Sequence, residues 1–569
     1  PEVVEGCVMA FTPQDSVLAP TKSFFFMSDH PILNITDVAT PDAYPAITAA
    51  TLSGEWPALT ERLERTAADY RRAPSLHTLV QLEGTLHAIL RAPRDTLGTW
   101  ADAEPGNPWP WLAQGMADTY AGLDARGTET ADQLTEAEWE QVAEYLTQAQ
   151  APLTRALELG VQPGPALAAI GQAATILGVS EEDHQQLLAQ LAEADPNWLP
   201  AWSSALARSE ARWGGSLAHM GEVVALAERA MTVPELHQLL TAEHWWWRAN
   251  RSATIDGDLV TARGHLRAGL EDCPPGRTRA ALLVLEAQIL ASMDAPAREI
   301  AEGWQAAVDA APDDPTHQFD LGLAWVDAGD IERATAVLTR LAERPGPEGL
   351  EAANWLGRCL ARGRRGFPQD RAAAERWFHR TAEQGPDGKL NLAELQLEDD
   401  PHSEQALALC RTAIAEGNGF GALPLARALL TQGEQAEAKA LLSDVPVDFT
   451  ACKYALARGL DEGWFGTPDP RAALEVSNTV LPQVFDPYLS VLHMTLLSAQ
   501  GNWDAARDHG HWLLEVTAEG QLDLPDPLPD EVWRLLGEIP KPGLGGLLKR
   551  TFSKDRLRME VESPDLWAI

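Results

Sequence analysis

The sequence predicts an all-α fold, an α-solenoid of stacked antiparallel helix hairpins with a short, partly extended N-terminal cap. Three observations predict it. From residue 46 onward, apolar residues recur at the spacing of amphipathic helices. A glycine followed five residues later by an alanine returns along the chain, and one stretch is repeated 100 residues further on. Hairpins that cannot bury their apolar faces alone stack on neighbouring hairpins, and the result is a solenoid.

The glycine and alanine pairs predict where the helices turn. Each glycine follows an apolar helical run and precedes Asp, Glu or Asn. Glycine adopts the left-handed conformation that ends a helix, the acidic or amide side chain faces the first amides of the next helix, and alanine lets the two helices approach closely. We therefore expect a bend at each such glycine. The pairs are Gly257/Ala262, Gly329/Ala334, Gly433/Ala438 and Gly501/Ala506.

The repeat at an offset of 100 residues supports the same fold. Nine positions carry the same residue in both copies, which predicts two hairpins of equivalent structure. The matching positions are Leu356/Leu456, Leu360/Leu460, Gly363/Gly463, Gly366/Gly466, Pro368/Pro468, Arg371/Arg471, Ala372/Ala472, Ala373/Ala473 and Glu375/Glu475.

Residues 315–346 resemble a tetratricopeptide repeat unit. The resemblance rests on Leu321-Gly322, Trp325, Ala334, Leu338 and Pro345, with Gln318 in the place of the family's early tryptophan. It implies a helix hairpin whose first helix lines a groove that binds another protein. By this resemblance, the residues that line the groove are Thr316, Phe319, Leu323, Val326 and Asp327.

Residues 350–388 resemble a Sel1-like repeat more closely. Weaker copies cover 389–442 and 451–480, and the second of these has Val476-Ser477 where the family carries a Trp-Phe pair. The resemblance implies further helix hairpins of the same array. The positions that carry it are Ala353, Leu356-Gly357, Leu360, Gly363, Gly366, Asp370, Ala373, Trp377-Phe378, Ala382 and Gly385.

Residues 46–240 are similar to an uncharacterised bacterial helical domain that often accompanies such repeats. The similarity lies in Gly54-Glu55-Trp56, Asp195-Pro196-Asn197-Trp198 and Trp213-Gly214-Gly215-Ser216. Since that family has no assigned activity, the resemblance implies a helical fold and no function.

These patterns predict six segments. They are an N-terminal cap (1–45), an N-terminal helical domain (46–240), tetratricopeptide-like repeats (241–349), Sel1-like repeats (350–480), C-terminal hairpins (481–538) and a basic tail (539–569). From Lys541 to Arg558 the tail holds six basic residues and one acid, Asp555. We expect the tail to fold back on an acidic face, and the alternative is a protruding tail that binds a partner.

The composition narrows the classes of partner. The chain has 83 acidic and 44 basic residues and a net charge of −39. This charge disfavours nucleic acid, which proteins bind chiefly with Lys and Arg, and it favours a basic protein. The start of the sequence lacks the features of a signal peptide, and there is no run of 18 apolar residues, so we expect a cytoplasmic protein that does not enter a membrane. The five cysteines are too scattered for a zinc or disulfide framework, and no nucleotide, protease or calcium motif occurs, so we expect no metal and no cofactor.

Two clusters stand out as candidate binding residues. The first is Trp245-Trp246-Trp247-Arg248: three consecutive helical rings fan over about 200° and cannot share one buried face. It is either a junction between the N-terminal domain and the repeats or an aromatic anchor for a partner. The second is a set of arginines that either grip an acidic client or are neutralised by the protein's own acids. Its members are Arg358, Arg362, Arg364, Arg365, Arg371, Arg376 and Arg380.

Our main hypothesis is a non-enzymatic scaffold that binds a basic protein on a concave, largely acidic surface formed by the first helix of each hairpin. A bacterial immunity or antitoxin protein that covers a basic toxin is one concrete version. The alternative is a hydrolase-like enzyme with paired carboxylates in a helical groove. A third and weaker hypothesis is nucleic-acid binding through the face from Arg358 to Arg380.

Overall fold

The computed structural model describes residues 44–126, 134–178, 180–209, 215–312, 314–518 and 528–538. Within these ranges the chain forms 27 α-helices and one short 3-10 turn, and no strand. The predicted all-α solenoid of helix hairpins is confirmed. Almost all of the predicted N-terminal cap and the whole basic tail lie outside the described residues.

The chain divides between Asp330 and Ile331 into two compact units. This division falls inside the predicted segment 241–349, and the predicted segment boundaries remain predictions. The helices of the first unit are α1 (Tyr44–Ser53), α2 (Trp56–Arg72), α3 (Leu76–Leu90), α4 (Arg94–Ala103), α5 (Pro108–Arg126), α6 (Glu136–Glu158), α7 (Pro163–Leu177), α8 (Glu181–Ala194), α9 (Leu199–Arg208), α10 (Leu217–Ala230), α11 (Pro234–Thr254), α12 (Leu259–Glu271), α13 (Arg277–Ser292), α14 (Ala297–Ala310) and α15 (Pro315–Asp327).

The second unit continues the same alternation. Its helices are α16 (Ile331–Ala342), α17 (Pro347–Arg362), α18 (Arg371–Ala382), α19 (Pro386–Asp399), α20 (Glu404–Ala415), α21 (Ala422–Gln432), α22 (Gln435–Asp444), α23 (Thr450–Glu462), α24 (Pro470–Val480), α25 (Pro487–Ala499), α26 (Trp503–Ala518) and α27 (Leu528–Glu538), with the 3-10 turn Gly419–Gly421 before α21.

Within each unit the helices stack as hairpins. Consecutive helices pack side by side, and odd-numbered helices also pack on one another. In the second unit these odd-numbered pairs are α17 with α19, α21 with α23, α23 with α25, and α25 with α27. The first helices of successive hairpins therefore lie side by side from α17 to α19 and from α21 to α27.

The predicted bends lie where the glycines are. Gly257, Gly329, Gly433 and Gly501 each fall between two helices with a φ between 66° and 84°. The alanine five residues after each of them, at 262, 334, 438 and 506, is fully buried. The left-handed glycine ends one helix and the alanine lets the next one approach, as the pattern predicts.

The two copies at the 100-residue offset are equivalent only in part. Gly363 and Gly463 both end their helices in the left-handed conformation. The next helices begin at Asp370 and Asp469, whose side chains accept hydrogen bonds from the backbone amides of Ala373 and Ala472. The second loop is therefore one residue shorter. The matches from Arg371/Arg471 to Glu375/Glu475 are coincidences of sequence rather than structural equivalents, and the fully buried Ala374 corresponds to Ala473.

This register also explains the missing Trp-Phe pair. In the first copy the ring of Phe378 packs on Gly357, where a Cβ atom would collide with it. In the second copy the equivalent positions are Ala457 and Ser477, both fully buried. The hydroxyl of Ser477 donates to the carbonyl of Leu474 at 3.0 Å and lies 2.9 Å from Nδ1 of His493. The ring of Phe378 in the first copy is thus replaced in the second by a small serine that bonds to His493, while the glycine opposite becomes an alanine.

A recurring turn joins hairpins of the first unit. The indole nitrogen of Trp111 donates to the carbonyl of Pro105 at 3.1 Å, and that of Trp202 donates to the carbonyl of Pro196 at 2.9 Å. In α15, the amide of Gln318 makes the same bond at the same spacing, and its acceptor is the carbonyl of Pro312. Gln318 therefore makes the bond that Trp111 and Trp202 make elsewhere in the first unit.

The motif Asp195-Pro196-Asn197-Trp198 is a structural junction. The buried carboxylate of Asp195 accepts hydrogen bonds from the hydroxyl of Tyr70 at 2.9 Å, the amide of Gln162 at 2.6 Å and the backbone amide of Gly164 at 3.1 Å. Burial raises the pKa of Asp195 despite these donors. One side chain thus joins α2, α7 and the turn before α9.

Candidate protein-binding surface

The predicted groove residues on α15 divide into core and surface. Val326 is buried, Phe319 and Leu323 are half-buried, and Asp327 is exposed. The side chain of Thr316 lies outside the described part of the structure. An accessible strip therefore combines a partly apolar middle with a carboxylate at the end of the helix.

The tryptophan cluster on α11 lies mostly inside the first unit. Trp246 and Trp247 are 8% and 3% exposed, and their rings pack edge to face. The half-buried Trp245 lies close to Gly269 on α12, where an added Cβ atom would meet its side chain. The guanidinium of Arg248 lies 5.1 Å from the centre of the Trp245 ring. The described structure thus buries Trp246 and Trp247 within the first unit and packs Trp245 beside α12.

The same helix carries two perturbed titratable groups. Glu243 is 1% exposed and accepts a hydrogen bond from the hydroxyl of Ser203, and burial raises its pKa to about 7. Burial, together with nearby Arg248 and His265, lowers the pKa of His244 to about 4. Burial therefore favours the uncharged form of both side chains. The periodicity of the sequence predicts that Glu243 and His244 lie on a helix. It cannot predict that Ser203 of α9 lies next to Glu243.

The arginine cluster lies on α17, on α18 and in the loop between them. Arg362 lies 3.8 Å from Glu394 and 3.5 Å from Glu398 on α19, and Arg371 lies 2.6 Å from Glu398. Arg380 donates to the backbone carbonyls of Glu343 and Arg344 at 3.0 Å each. These three arginines are engaged by the protein itself, which is the second of the two interpretations that the sequence left open.

Arg358 and Arg365 of the same cluster are exposed. Arg365 lies in the α17–α18 loop with a φ of 52°, a conformation that is uncommon for a residue with a side chain. Arg358 lies one helical turn before Arg362 on α17, and its charge acts on Glu394 of α19. Within the cluster, Arg358 is therefore an exposed charge close enough to lower the pKa of Glu394.

Glu394 and Asn391 are residues of this surface that the sequence did not single out. Burial raises the pKa of Glu394 to about 7, although Arg362 favours its charged form. The amide of Asn391 donates to Oδ1 of Asn354 on α17 at 3.1 Å. The available signal was the spacing of four residues in Arg358/Arg362 and in Glu394/Glu398, which places each pair on one face of its helix. The pairing of the two faces requires the register of the hairpins.

The cysteines, the apolar content of the helices and one pair of histidines relate to further predictions from the sequence. The cysteines at 273, 359, 410 and 452 are buried free thiols. Among the described helices, none has an apolar stretch long enough to cross a membrane. Of the two histidines in His509-Gly510-His511, the first packs against His493 with ring centres 4.9 Å apart, and the second is exposed.

The comparisons with known proteins give weak likenesses. No family model matches the chain, and no curated protein matches its sequence. A protective antigen of uropathogenic Escherichia coli with an SLR fold is 17% identical, and the alignment covers 79% of this chain and 94% of that chain with a TM-score of 0.34. The structure of Naa15/Naa10 bound to HypK-THB is 13% identical, and the alignment covers 85% of this chain and 79% of that chain with a TM-score of 0.26. The human IFIT1 dimer with PPP-AAAA is 14% identical, and the alignment covers 68% of this chain and 93% of that chain with a TM-score of 0.30.

The fold assignment rests on the hairpins of this chain. Its left-handed glycine turns, the buried alanines that follow them, the recurring bond to a proline carbonyl and the packing of odd-numbered helices all repeat along the described residues. The described residues accordingly form an α-helical repeat array of stacked hairpins.

Proposed function

We propose that this protein is a non-enzymatic scaffold that binds another protein on the exposed side chains of its odd-numbered helices. The observation that carries the proposal is the polar surface shared by α17 and α19. There Asn391 donates to Asn354, and Arg362 pairs with Glu394 and Glu398, so polar side chains of two successive hairpins hold one another in place. Side chains fixed in this way lose little further freedom on binding, so they present a prepared surface to a partner.

The partner that fits the charge of the chain is a basic protein. A net charge of −39 raises the rate of encounter with a basic protein and makes the association sensitive to salt. Asp327 at the end of α15 is an exposed carboxylate that can take part. The predicted groove residues Phe319 and Leu323 supply partly buried apolar contacts beside it. Trp245 and Arg248, which stack on one another at the surface of α11, are proposed as a further contact.

A bacterial immunity or antitoxin role is the concrete form of this proposal, with the protein acting in the cytoplasm. The excess of acidic side chains attracts a basic toxin toward the protein, and the same charges then pair with the toxin in the complex. In this form the recovered partner is a basic protein whose expression alone inhibits growth, and co-expression of the scaffold restores growth.

The test compares affinity capture by three forms of the full-length chain. The first is the wild type, the second carries Asp327→Arg and Glu351→Arg on the odd-numbered helices α15 and α17, and the control carries Glu228→Arg and Glu437→Arg on the exposed faces of α10 and α22. We expect a stoichiometric basic partner with the wild type and the control, and at least a tenfold loss with the second form. Equal recovery by all three forms, or recovery that does not fall with added salt, would contradict the proposal.

A second candidate is an enzyme with paired carboxylates, and one observation favours it. Glu394 and Glu398 both approach Nη2 of Arg362, at 3.8 and 3.5 Å, so these two carboxylate oxygens are at most about 7.3 Å apart. One acid has a raised pKa and the other is ion-paired, which is the division of roles between a general acid and a carboxylate base. This candidate requires hydrolysis of a glycoside or ester substrate that Glu394→Gln abolishes without changing the fold. Turnover that persists in this variant contradicts it.

A further inference from the structure

The last two described helices expose two tryptophans. Trp512 on α26 is 42% exposed and Trp533 on α27 is 59% exposed. The Trp512 ring contacts Phe485 and His509 on one side, with centre distances of 6.2 and 5.3 Å. On α27, Leu528, Val532 and Leu535 are buried against α25 and α26. Large apolar surface of this kind at the end of a repeat array needs a cover.

The exposed stripe of α26 is acidic as well as aromatic. Asp504, Asp508, Trp512 and Glu515 are spaced by four, four and three residues, so they lie on one face of the helix, and all are exposed. Asp504 pairs with Arg507 at 2.9 Å and is 85% exposed. The occupant that fits this face therefore carries both positive charge and apolar side chains.

The chain itself continues with such a segment. After Glu538, the last residue of α27, 31 residues follow. Between 541 and 558 the basic residues are Lys541, Lys549, Arg550, Lys554, Arg556 and Arg558, and the apolar residues Leu544, Leu547, Leu548 and Phe552 lie among them. The segment that directly follows α27 is thus both basic and apolar, in a chain with a net charge of −39.

We propose that the basic segment 541–558 docks within the same chain on the Trp512 and Trp533 faces of α26 and α27. The eleven residues from Glu538 to Lys549 can span about 36 Å when extended, and α26 packs directly against α27. A direct tether of this length gives an effective concentration in the millimolar range, so weak contacts suffice. Arginine side chains stack on exposed indoles and lysines pair with the carboxylates of the stripe.

Zero-length carbodiimide cross-linking of the full-length chain tests this proposal, because it joins lysine amines to carboxylates in contact. The chain has only seven lysines, and three of them, Lys541, Lys549 and Lys554, lie in the segment. The pair of Lys389 and Glu416, 2.5 Å apart, is an internal control for the reaction. We expect cross-links from Lys549 or Lys554 to Asp508 or Glu515 in the monomer band.

Two variants decide the role of the tryptophans. Trp512→Ala with Trp533→Ala should reduce these cross-links at least fivefold, while the control Phe420→Ala, at an exposed aromatic elsewhere in the second unit, should leave them unchanged. The Lys389 to Glu416 cross-link should persist in both variants. The proposal is overturned if tail lysines link only to other parts of the chain, if the links join two chains, or if no tail link forms while the internal control does. Tail links that are equally strong in the double variant also overturn it.

Discussion

The side-chain amide of Gln318 lies 2.7 Å from the carbonyl oxygen of Pro312 and donates to it. The indole nitrogen of Trp202 makes the equivalent hydrogen bond, to the carbonyl oxygen of Pro196. The two hairpins thus begin with one hydrogen bond made by two different residue types. The bond fixes the entry of the chain into the first helix of the hairpin.

Removing this bond should weaken the first unit. We expect Gln318→Ala to lower its unfolding free energy by about 1–2 kcal/mol, because the hydrogen bond and the buried stem are both lost. Gln318→Trp should lower it less, since the indole keeps a donor at this position. Denaturant unfolding followed by circular dichroism measures the difference. Equal stability of the alanine and tryptophan variants would contradict the role given to the bond.

The buried Glu243 should make the stability of the first unit fall as pH rises from about 4.5 to about 7. Its pKa is raised to about 7 in the folded chain, so its contribution to stability is fully present below the ordinary pKa of a glutamate and is lost as pH rises through 7. Glu243→Gln removes the ionisation. We expect this variant to match the wild type near pH 4.5 and to be more stable by about 3 kcal/mol at pH 8. Thermal unfolding at the two pH values measures this, and a constant difference between the proteins would refute it.

His493 and His509 should make the second unit less stable as pH falls, which is the opposite of the effect of Glu243 on the first unit. Burial lowers the pKa of His493 to about 4 and that of His509 in the same direction. Lowered histidine pKa values contribute stability that is present above about pH 6.5 and lost as pH falls toward 4. We expect backbone amides of α25 and α26 to exchange faster, relative to those of α17, as pH falls from 7 to 4.5. His493→Gln should reduce that change, and an unchanged profile in the variant would count against the assignment.

The interface of Gly357 and Phe378 should show strong coupling. Gly357→Ala inserts a Cβ atom into the position of the Phe378 ring and should cost about 1–3 kcal/mol. Phe378→Ser alone should cost about 3–5 kcal/mol, because it empties a packed site. The double variant reproduces the residues of the second copy. We expect it to be more stable than the sum of the single effects by at least about 1 kcal/mol in a double-mutant cycle. Simple additivity would show that the two positions do not share one space.

The sequence predicted the bends better than the contacts between repeats. A glycine before an acidic or amide residue acts within a few neighbours, so Gly257 and Gly433 could be placed at bends from local pattern alone. The approach of Arg362 to Glu394 depends on how two hairpins are registered, and that information is not local. Likewise, the pattern showed that the three tryptophans must face in different directions, and only the packing of α11 shows that Trp246 and Trp247 are buried.

Register was also the source of the one misassignment within the repeat. Identical residues at 371–373 and 471–473 suggested equivalence, but the shorter loop before Asp469 moves the second helix by one position. A one-residue change in a loop leaves the helical periodicity intact, so sequence matching alone cannot detect it. The buried positions Ala374 and Ala473 reveal it.

The opposed sizes of Gly357 with Phe378 and Ala457 with Ser477 restrict how this chain can evolve. An unequal crossover that exchanged the second helix between the two copies would place a phenylalanine against an alanine in one product and a serine against a glycine in the other. One product would be overfilled and the other would contain a void. We therefore expect exchange of a whole hairpin between the copies to disturb the packing less than exchange of a single helix.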